Sequence, residues 1–377
     1  MFKPATALGT AVVLALAAPA AAQPALCPRA VAAIDAAAAA TMAQGSPGIA
    51  VQVTRDGQVA LARFYGLANL EHRAPVTADT VFNLASVTKQ FTAAALLLLV
   101  QDGKLKLDDT LSRYVPELPQ AEKVTLRQLL VHTSGIPDYA EDPAGSKTKS
   151  VAKTPAEMMA WIATLKPAFM FEPGTSWAYS NSNYTLLGLV IERVSGKPLA
   201  QVFKERLFAP AGLTTTAFDN PAEVVPHRAQ GYRRAKDAPS GFANADWISP
   251  TIPGPAGGLR ATVADMTRWS NALFGGRILN AQSLALLTSP GKLNDGRTTK
   301  FGMPEAWQKG MNADYGMGVF ITPTKAGPRI WHPGDIDGFS SWLAHYPDRK
   351  VSIALIQNSQ SADFDKDAIE AAVFSCP

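Results

Sequence analysis

The stretch from Ser86 to Val100, SVTKQFTAAALLLLV, shapes the interpretation of the whole chain. Ser86 and Lys89 are three residues apart, so on a helix they lie on one face, one turn apart. The hydroxyl of Ser86 then sits near the positive end of the helix dipole, beside the amine of Lys89. A serine hydroxyl is a poor nucleophile until a base removes its proton, and a desolvated, neutral lysine at that distance can be that base. The segment 93–100 is apolar on every side, which predicts a helix that runs through the core and holds the pair rigidly.

The Ser-x-x-Lys pattern alone is weak evidence, because it occurs four times in the chain. The pairs that begin at Ser146 and Ser150 lie in a polar, lysine-rich run, and the pair that begins at Ser289 encloses a Pro-Gly turn. Only Ser86 opens a long apolar helix. On this stretch alone, a helix cap at Ser86 is the simpler explanation, so the assignment depends on segments further along the chain.

The composition is that of an ordinary globular protein. The 377 residues are 47% hydrophobic and 18% charged, with a net charge of only +4, which suits two domains or one elaborated domain. No basic cluster with interleaved aromatics is present, which argues against nucleic-acid binding. The sequence also lacks a Gly-x-Ser-x-Gly elbow, a His-Glu-x-x-His motif, a Walker loop and a dinucleotide-binding glycine run. We therefore expect neither a metal nor a cofactor.

Residues 1–22 have the pattern of a secretory signal peptide. Lys3 supplies a positive start, residues 5–18 form a short Ala-rich apolar segment, and the small residues 20–22 fit cleavage. An uncleaved membrane anchor is the weaker alternative, because the segment is marginal in length and has few strong hydrophobes. The pattern predicts a secreted or periplasmic protein with no transmembrane segment after the signal is removed.

The two cysteines, Cys27 and Cys376, lie near the two ends of the mature chain. Export to an oxidising compartment permits a disulfide between them. Closing so long a loop would stabilise the fold by roughly 4–5 kcal/mol in the chain-entropy model. The alternative is two unpaired buried thiols.

Strand patterns lie at both ends of the chain, and helical patterns lie between them. Segments 48–54 and 58–65 predict one hairpin, and segments 338–346 and 350–357 predict another. The expected fold is α/β of the α+β type, with an antiparallel sheet formed from both chain ends, flanked by helices. The expected domains are an α/β domain of residues 23–105 plus 255–377 and a mostly helical domain of residues 106–254 with rim loops.

Tyr179 and Asn181 form the only Tyr-x-Asn in the chain. A phenol can relay protons if positive neighbours lower its pKa, and an amide can orient a substrate carbonyl. Taken alone, the segment is more simply a polar turn before the helix predicted over 182–194. His132, in the loop after the helical segment 124–130, is interpreted as structural.

His332 begins a second polar segment at the end of a predicted strand. A strand that lines a cleft can present His332 inward, and its edge can pair with an extended substrate. A backbone N–H just beyond Gly334 can join that of Ser86 to form an oxyanion hole. Taken alone, an ordinary histidine in a strand and turn is the simpler explanation.

Three motifs occur in order along the chain: Ser86-x-x-Lys89, Tyr179-x-Asn181 and His332-x-Gly334. Together they resemble the serine β-lactamase/penicillin-binding superfamily, specifically class C β-lactamases and D-alanyl-D-alanine carboxypeptidase-like hydrolases. Further segments look like those of the family: 129–136, 179–188, 207–216 and 257–269. The resemblance therefore covers about residues 30–375.

The resemblance implies a catalytic role for three residues. Ser86 would be the acylated nucleophile, and Lys89 would help to remove its proton. Tyr179 would exchange protons with the leaving group and activate the deacylating water. In such enzymes, whether the lysine or the tyrosine is the acylation base is contested.

The resemblance also implies the residues that bind the substrate. Asn181 would hold the substrate amide, and His332 would stand where many relatives carry lysine. Gly334 would be part of the substrate-binding strand, and the backbone N–H groups of Ser86 and Asp335 would bind the oxyanion.

Two departures from the family pattern bear on the substrate. A histidine with an ordinary pKa near 6.5 is mostly neutral at pH 7, whereas lysine is charged. Pro333 stands where a threonine is common, so a hydroxyl and an N–H are lost. Both changes weaken the grip on the carboxylate that penicillins, cephalosporins and D-Ala-D-Ala peptides carry, and Asp335 adds a negative side chain nearby.

The sequence thus predicts an exported serine hydrolase that forms an acyl-enzyme on Ser86. Its partner would be a small-molecule or peptide substrate: a D-Ala-type peptide, a β-lactam or a related amide or ester. A carboxylesterase on the same scaffold is the close alternative. A non-catalytic protein that binds β-lactams or peptidoglycan is a further one.

Overall fold

Within residues 25–42, 45–360 and 365–376, which a computed structural model describes, segments from both ends of the chain form one antiparallel sheet of seven strands. The strand order is β10-β11-β12-β13-β14-β1-β2, so the N-terminal hairpin lies beside the last C-terminal strand. The predicted sheet built from both chain ends, flanked by helices, is confirmed. The predicted signal peptide, residues 1–22, lies outside the described residues.

The strands of this sheet and of three smaller sheets share extended backbone and inter-strand pairing. They are β1 (Ile49–Arg55), β2 (Gln58–Tyr65), β3 (Leu67–Asn69), β4 (Ala74–Pro75), β5 (Phe82–Asn83), β6 (Ala217–Phe218), β7 (Tyr232–Arg234), β8 (Phe242–Asn244), β9 (Leu259–Ala261), β10 (Asp314–Tyr315), β11 (Phe320–Thr324), β12 (Gly327–Ile336), β13 (Phe339–Tyr346) and β14 (Val351–Gln357).

The helices vary from single turns to fifteen residues. They are α1 (Pro28–Thr41), α2 (Thr88–Gln101), α3 (Leu126–Leu130), α4 (Pro143–Ser146), α5 (Pro155–Thr164), α6 (Asn181–Ser195), α7 (Leu199–Phe203), α8 (Ala209–Ala211), α9 (Gly254–Gly257), α10 (Val263–Phe274), α11 (Ala281–Leu287), α12 (Glu305–Met311) and α13 (Lys366–Val373).

The sheet is covered on both faces, and the period-two alternation of its strands explains why. In β1, Val51 and Val53 pack into the cluster that contains residues of α1 and α13, whereas Ala50 belongs to the cluster around α2 and α6. Gln52, on the same face as Ala50, donates to Thr267 of α10 over 2.7 Å. The two hydrophobic clusters therefore pack against opposite faces of the central strands.

Helix α2 is the buried axis of the fold, as its sequence predicts. Every residue from Thr88 to Leu99 is buried, and each fully buried leucine there stabilises the fold by about 1.5–3 kcal/mol relative to an exposed one. The helix contacts α6 and α9, which belong to the region between the two strand-rich ends of the chain. This contact is what brings residues from distant segments to the N-terminus of α2.

The regular structure within 106–254 consists of helices α3–α8, several single helical turns and the short strands β6–β8, and the division into two domains stays a prediction. One difference concerns residues 141–153, for which the polar composition predicts a mobile surface loop. The structure places helix α4 there, and Lys149 forms ion pairs with Asp337 at 2.7 Å and Asp246 at 3.5 Å. These ion pairs connect distant segments, so the loop's own composition does not reveal them.

Cys27 and Cys376 form a disulfide in the structure, with 349 residues of sequence separation. Cys27 is the residue just before α1, and Cys376 follows α13, so the bond ties together two helices that already pack against each other. No described helix is long and apolar enough to cross a membrane.

The disulfide should contribute measurably to stability. In Cys27→Ser we expect the free energy of unfolding to fall by about 2–5 kcal/mol, because the unfolded chain regains the freedom that the closed loop removes. Urea unfolding followed by tryptophan fluorescence measures this. In the control, Cys27→Ser/Cys376→Ser, adding reductant should not shift the midpoint. Equal midpoints for the oxidised wild type and Cys27→Ser would contradict the prediction.

Candidate active site

Ser86 lies in a single 3-10 turn, Ala85–Val87, immediately before α2, and its side chain is half-buried. The residue before it, Ala85, has φ +46°, which is unusual for a residue with a Cβ and places the turn under strain. Asn83 accepts a hydrogen bond from the Ala85 N–H over 2.7 Å and holds that conformation. Strand β12 passes very close to the same turn: a Cβ atom added to Gly334 would lie 2.5 Å from the Leu84 carbonyl oxygen. Glycine is therefore required where the strand passes the serine.

Lys89 is fully buried in the first turn of α2. Its Nζ donates to Ser86 Oγ at 3.1 Å, to Asn181 Oδ1 at 2.7 Å and to the Ala256 carbonyl oxygen at 2.8 Å. Burial lowers the pKa of Lys89 to about 7, and the negative charge of Asp138 opposes this shift. The amine is therefore neutral in a substantial fraction of molecules near pH 7.

The partners of Lys89 determine what its neutral form can do. The Ala256 carbonyl can only accept a hydrogen bond, and Asn181 presents its carbonyl oxygen to the amine. A neutral amine that keeps these two donations has used both of its hydrogens. Its lone pair then points toward the third partner, the Ser86 hydroxyl, which is the arrangement a general base requires.

Asp138 is a site residue that the sequence interpretation missed. It is 9% exposed and accepts from Asn181 Nδ2 over 2.8 Å, which fixes the amide so that its oxygen faces Lys89. Burial raises the pKa of Asp138, while hydrogen bonds from Ala140 and Asn181 and the charge of Lys89 lower it. The only local signal is that Asp138 caps the short turn Tyr139–Glu141. The aspartate thus orients Asn181 and supplies charge to the buried lysine.

Replacing this aspartate should move the pH profile of the enzyme. Because the Asp138 charge raises the pKa of Lys89, Asp138→Asn should lower that pKa. If neutral Lys89 is the base, the acidic limb of kcat/KM shifts to lower pH, and a pH–rate profile from pH 5 to 9 shows it. Glu141→Gln, which removes a nearby exposed carboxylate, is the control and should not move the limb. A limb that stays in place or moves upward in Asp138→Asn would refute this coupling.

Tyr179 lies beside this pair, with the Lys89 Nζ 4.7 Å from the centre of its ring. Burial raises the pKa of Tyr179 well above its ordinary value, and a hydrogen bond with Ser86 acts in the opposite direction. A pKa lowered by positive neighbours, the condition for the phenol to take a proton near pH 7, is therefore not met, and the charge of Asp138 raises the pKa of Tyr179 further. The phenol stays protonated near pH 7 and is suited to giving a proton rather than taking one.

His332 is fully buried on β12 and lies away from the cavity that opens at Ser86. Its Nδ1 lies 2.6 Å from the Pro333 carbonyl oxygen, so Nδ1 carries the hydrogen and Nε2 accepts from the Tyr315 hydroxyl at 3.0 Å. Burial, followed by the charge of Lys89, lowers the pKa of His332 to about 3. The ring is therefore neutral and contacts Tyr179 at a centroid distance of 6.1 Å. Its contact with substrate stays a prediction.

His132 supports the tyrosine from the other side, in agreement with a structural role. Its Nδ1 accepts from the Ser180 N–H at 3.2 Å and lies 3.2 Å from Asn183 Nδ2. Its ring centroid is 4.5 Å from that of Tyr179. Burial lowers the pKa of His132 well below its ordinary value, so the ring is a neutral packing partner.

Two cavities are lined by these side chains and their neighbours. The first, of about 370 Å³, contains Ser86 and Asn181. Its other walls include Tyr139, Lys149, Trp161, Ile252, Asp335 and Asp337. The second, of about 550 Å³, is bordered by Tyr179, Asp138 and Lys166. The structure thus brings Ser86, Lys89, Tyr179 and Asn181 together between two open spaces, with Gly334 and Asp335 on the adjoining strand.

The Ser-x-x-Lys motif lies at the start of the buried helix α2, the Tyr-x-Asn motif lies at the start of α6, and strand β12 passes beside the serine. This arrangement and the fold define a class of protein. It is the β-lactamase/transpeptidase class of serine enzymes. A family model described as Beta-lactamase matches residues 34–374, and the chain belongs to this family.

Similar proteins include a penicillin-binding protein, a D-aminopeptidase and a D-stereospecific amidohydrolase. The chain is 28% identical over 335 residues to penicillin-binding protein 4* of Bacillus subtilis, covering 85% of this chain and 70% of that protein. It is 29% identical to the D-aminopeptidase of Brucella anthropi, covering 83% of this chain and 56% of that protein. A D-stereospecific amidohydrolase from Streptomyces has a solved structure that superposes with a TM-score of 0.75 at 29% identity, covering 91% of this chain and 98% of that one.

Proposed function

We propose that this protein is an exported serine hydrolase that cleaves amides or esters through an acyl-enzyme on Ser86. The observation that carries the proposal is that Lys89 Nζ lies 3.1 Å from Ser86 Oγ while the oxygens of Asn181 and Ala256 accept its other two hydrogen bonds. The strained turn at Ala85 and the close approach of Gly334 hold the serine beside the strand. The signal-like N-terminus and the disulfide support export.

The acylation step uses Ser86, Lys89 and Tyr179. Ser86 Oγ attacks the substrate carbonyl carbon while its proton passes to Lys89 Nζ. The carbonyl oxygen, now negative, is bound by the backbone N–H groups of Ser86 and Asp335. The C–N or C–O bond then breaks, the Tyr179 hydroxyl protonates the leaving group, and the Lys89 proton returns to the phenolate. In the deacylation step, water attacks the acyl carbon and gives up a proton to the same residues. The bond to Ser86 Oγ then breaks, Ser86 regains its proton, and the carboxylic acid is released.

The two cavities suggest how the substrate lies. We place the acyl group in the cavity lined by Ser86 and Asp335, and the leaving group toward the cavity bordered by Tyr179, because Tyr179 donates the leaving-group proton. The best-supported substrates are amides related to D-Ala peptides and D-amino acid amides, with β-lactams as slow substrates. The neutral, buried His332 leaves a substrate carboxylate without the cation that many relatives present, which favours those amides that lack a free carboxylate, such as D-amino acid amides.

A carboxylesterase is the second candidate, and a specific observation favours it. The Ser86 cavity has broad apolar walls, including Trp161, Ile252 and Ile336, which suit an acyl chain without charge. This candidate predicts turnover of short-chain p-nitrophenyl esters far above that of any D-amino acid amide. A protein that binds β-lactams without turnover would instead stay acylated.

Intact-mass spectrometry tests the proposal. The purified protein is incubated with a fluorophosphonate and, separately, with a fluorescent penicillin, and the modified peptide is then mapped. We expect one fluorophosphonate adduct on Ser86. Penicillin labelling that decays favours amide or β-lactam hydrolysis, fluorophosphonate labelling alone favours the esterase, and stable penicillin labelling favours a binding protein. No adduct from either reagent would refute a nucleophilic Ser86.

A further inference from the structure

Asp335 is a carboxylate in the Ser86 cavity that the proposed acylation chemistry does not use. It lies on β12 one residue after Gly334, with its side chain exposed to the cavity. Its hydrogen-bond partner is Ser340 on β13, whose Oγ donates to Asp335 Oδ1 over 2.6 Å. This bond comes from a neutral hydroxyl, so it orients the carboxylate without neutralising it.

The other charges of this cavity are already paired. Lys149 lies 2.7 Å from an Asp337 carboxylate oxygen and 3.5 Å from one of Asp246, so its charge is compensated twice. Among the described residues, no lysine, arginine or histidine lies within ion-pair distance of Asp335. Burial raises the pKa of Asp335, and the hydrogen bond from Ser340 only partly opposes this. An unpaired carboxylate in a partly desolvated cavity is stabilised by a cation brought by the substrate.

We propose that the Asp335 carboxylate selects substrates with a free ammonium group on the carbon next to the scissile carbonyl. The inference rests on the proposed function, and it places the enzyme among hydrolases that act at a free amino terminus. When the carbonyl oxygen lies at the Asp335 N–H, the α-ammonium is one carbon away from the carbonyl carbon, on the acyl side of the bond. The acyl group lies in the cavity that Asp335 lines, so the two charges face each other there.

The same carboxylate disfavours acyl groups that carry a negative charge. A carboxylate on the acyl group would enter a cavity whose lining lysine, Lys149, is bound to Asp337 and Asp246, and it would meet Asp335 unpaired. Like charges at short distance in a desolvated cavity cost free energy. Substrates with a carboxylate in the acyl group should therefore react more slowly than neutral amides, whereas penicillins and cephalosporins carry their carboxylate on the leaving-group side and are not subject to this repulsion.

The test compares two substrates that differ only in the ammonium group. These are D-phenylalanine p-nitroanilide and N-acetyl-D-phenylalanine p-nitroanilide, assayed with the wild type and Asp335→Asn. We expect the wild type to prefer the free amine, and the variant to lose about 10- to 100-fold in kcat/KM for that substrate. The readout is the ratio of kcat/KM for the free amine to that for the acetylated substrate, which should fall in Asp335→Asn because the neutral acetylated nitrogen makes no charge-assisted bond to Asp335. Asp237→Asn, which removes an exposed carboxylate in the turn between β7 and β8, is the charge-matched control.

A second measurement does not depend on turnover. D-phenylalaninamide should slow fluorophosphonate labelling of the wild type, N-acetyl-D-phenylalaninamide should not, and Asp335→Asn should lose this protection. Equal effects of Asp335→Asn on both substrates, or equal protection of wild type and variant, would overturn the role of Asp335 while leaving the serine hydrolase intact. Failure of the wild type to be labelled would instead refute the proposed function.

Discussion

Ser86→Ala is expected to lower kcat/KM for any substrate of the protein by at least about a thousandfold, because no acyl-enzyme forms without the hydroxyl. The fold should tolerate the change. Lys89 Nζ loses one of its three partners but keeps Asn181 and Ala256. Initial rates on D-phenylalanine p-nitroanilide and on p-nitrophenyl butyrate measure the effect, and thermal unfolding checks that the variant is folded.

The chain offers a matched control for this substitution. Ser289 begins another Ser-x-x-Lys pattern, but its hydroxyl donates to the Ala285 carbonyl oxygen over 2.6 Å at the end of α11. Ser289→Ala should therefore keep the wild-type rate and the wild-type labelling. Full activity in Ser86→Ala, with a fluorophosphonate adduct on another residue, would show that the nucleophile lies elsewhere.

Much of the fold follows from local periodicity. The run 93–100 is apolar on every side and forms the buried part of α2, and the alternation in β1 assigns Val51 and Val53 to one face and Gln52 to the other. The irregular segment 210–258 was not predictable in this way. It contains the short strands β6–β8 and helix α9, whose positions depend on pairing and packing with distant segments rather than on their own pattern.

In the candidate site, too, contacts set by local spacing are predictable from the sequence, and contacts between distant segments are not. Ser86 and Lys89 are one helical turn apart, so their contact is predictable from spacing alone. Asp138 meets Asn181 across 43 residues, and nothing in its surrounding sequence predicts that contact. Protonation states are harder still to predict from the sequence, because they depend on burial: the pKa of Tyr179 rises chiefly because the folded chain desolvates its phenol.

Lys89→Met is the second substitution for which we expect a large effect. Methionine is apolar and unbranched, so it suits the fully buried site without its charge. The variant loses the base that takes the Ser86 proton, and kcat/KM should fall by about 10²- to 10⁴-fold. It also leaves the oxygens of Asn181 and Ala256 without their donor, which should lower the free energy of unfolding by about 1–3 kcal/mol. Initial rates and urea unfolding measure the two effects, and Lys292→Met, from the Ser289 pattern, is the control.

The pH profile of this variant distinguishes the two possible bases. Burial lowers the pKa of Lys89 to about 7, so a wild type that uses neutral lysine gains activity as the pH rises through that value. In Lys89→Met we expect both a lower rate and no such rise in activity near pH 7. The phenol of Tyr179 is protonated over this range because burial raises its pKa, so it contributes no limb near pH 7. If Lys89→Met kept most of its rate, the serine proton would have to leave by way of Tyr179, and the hydrogen bonds of Lys89 would serve only to position the serine.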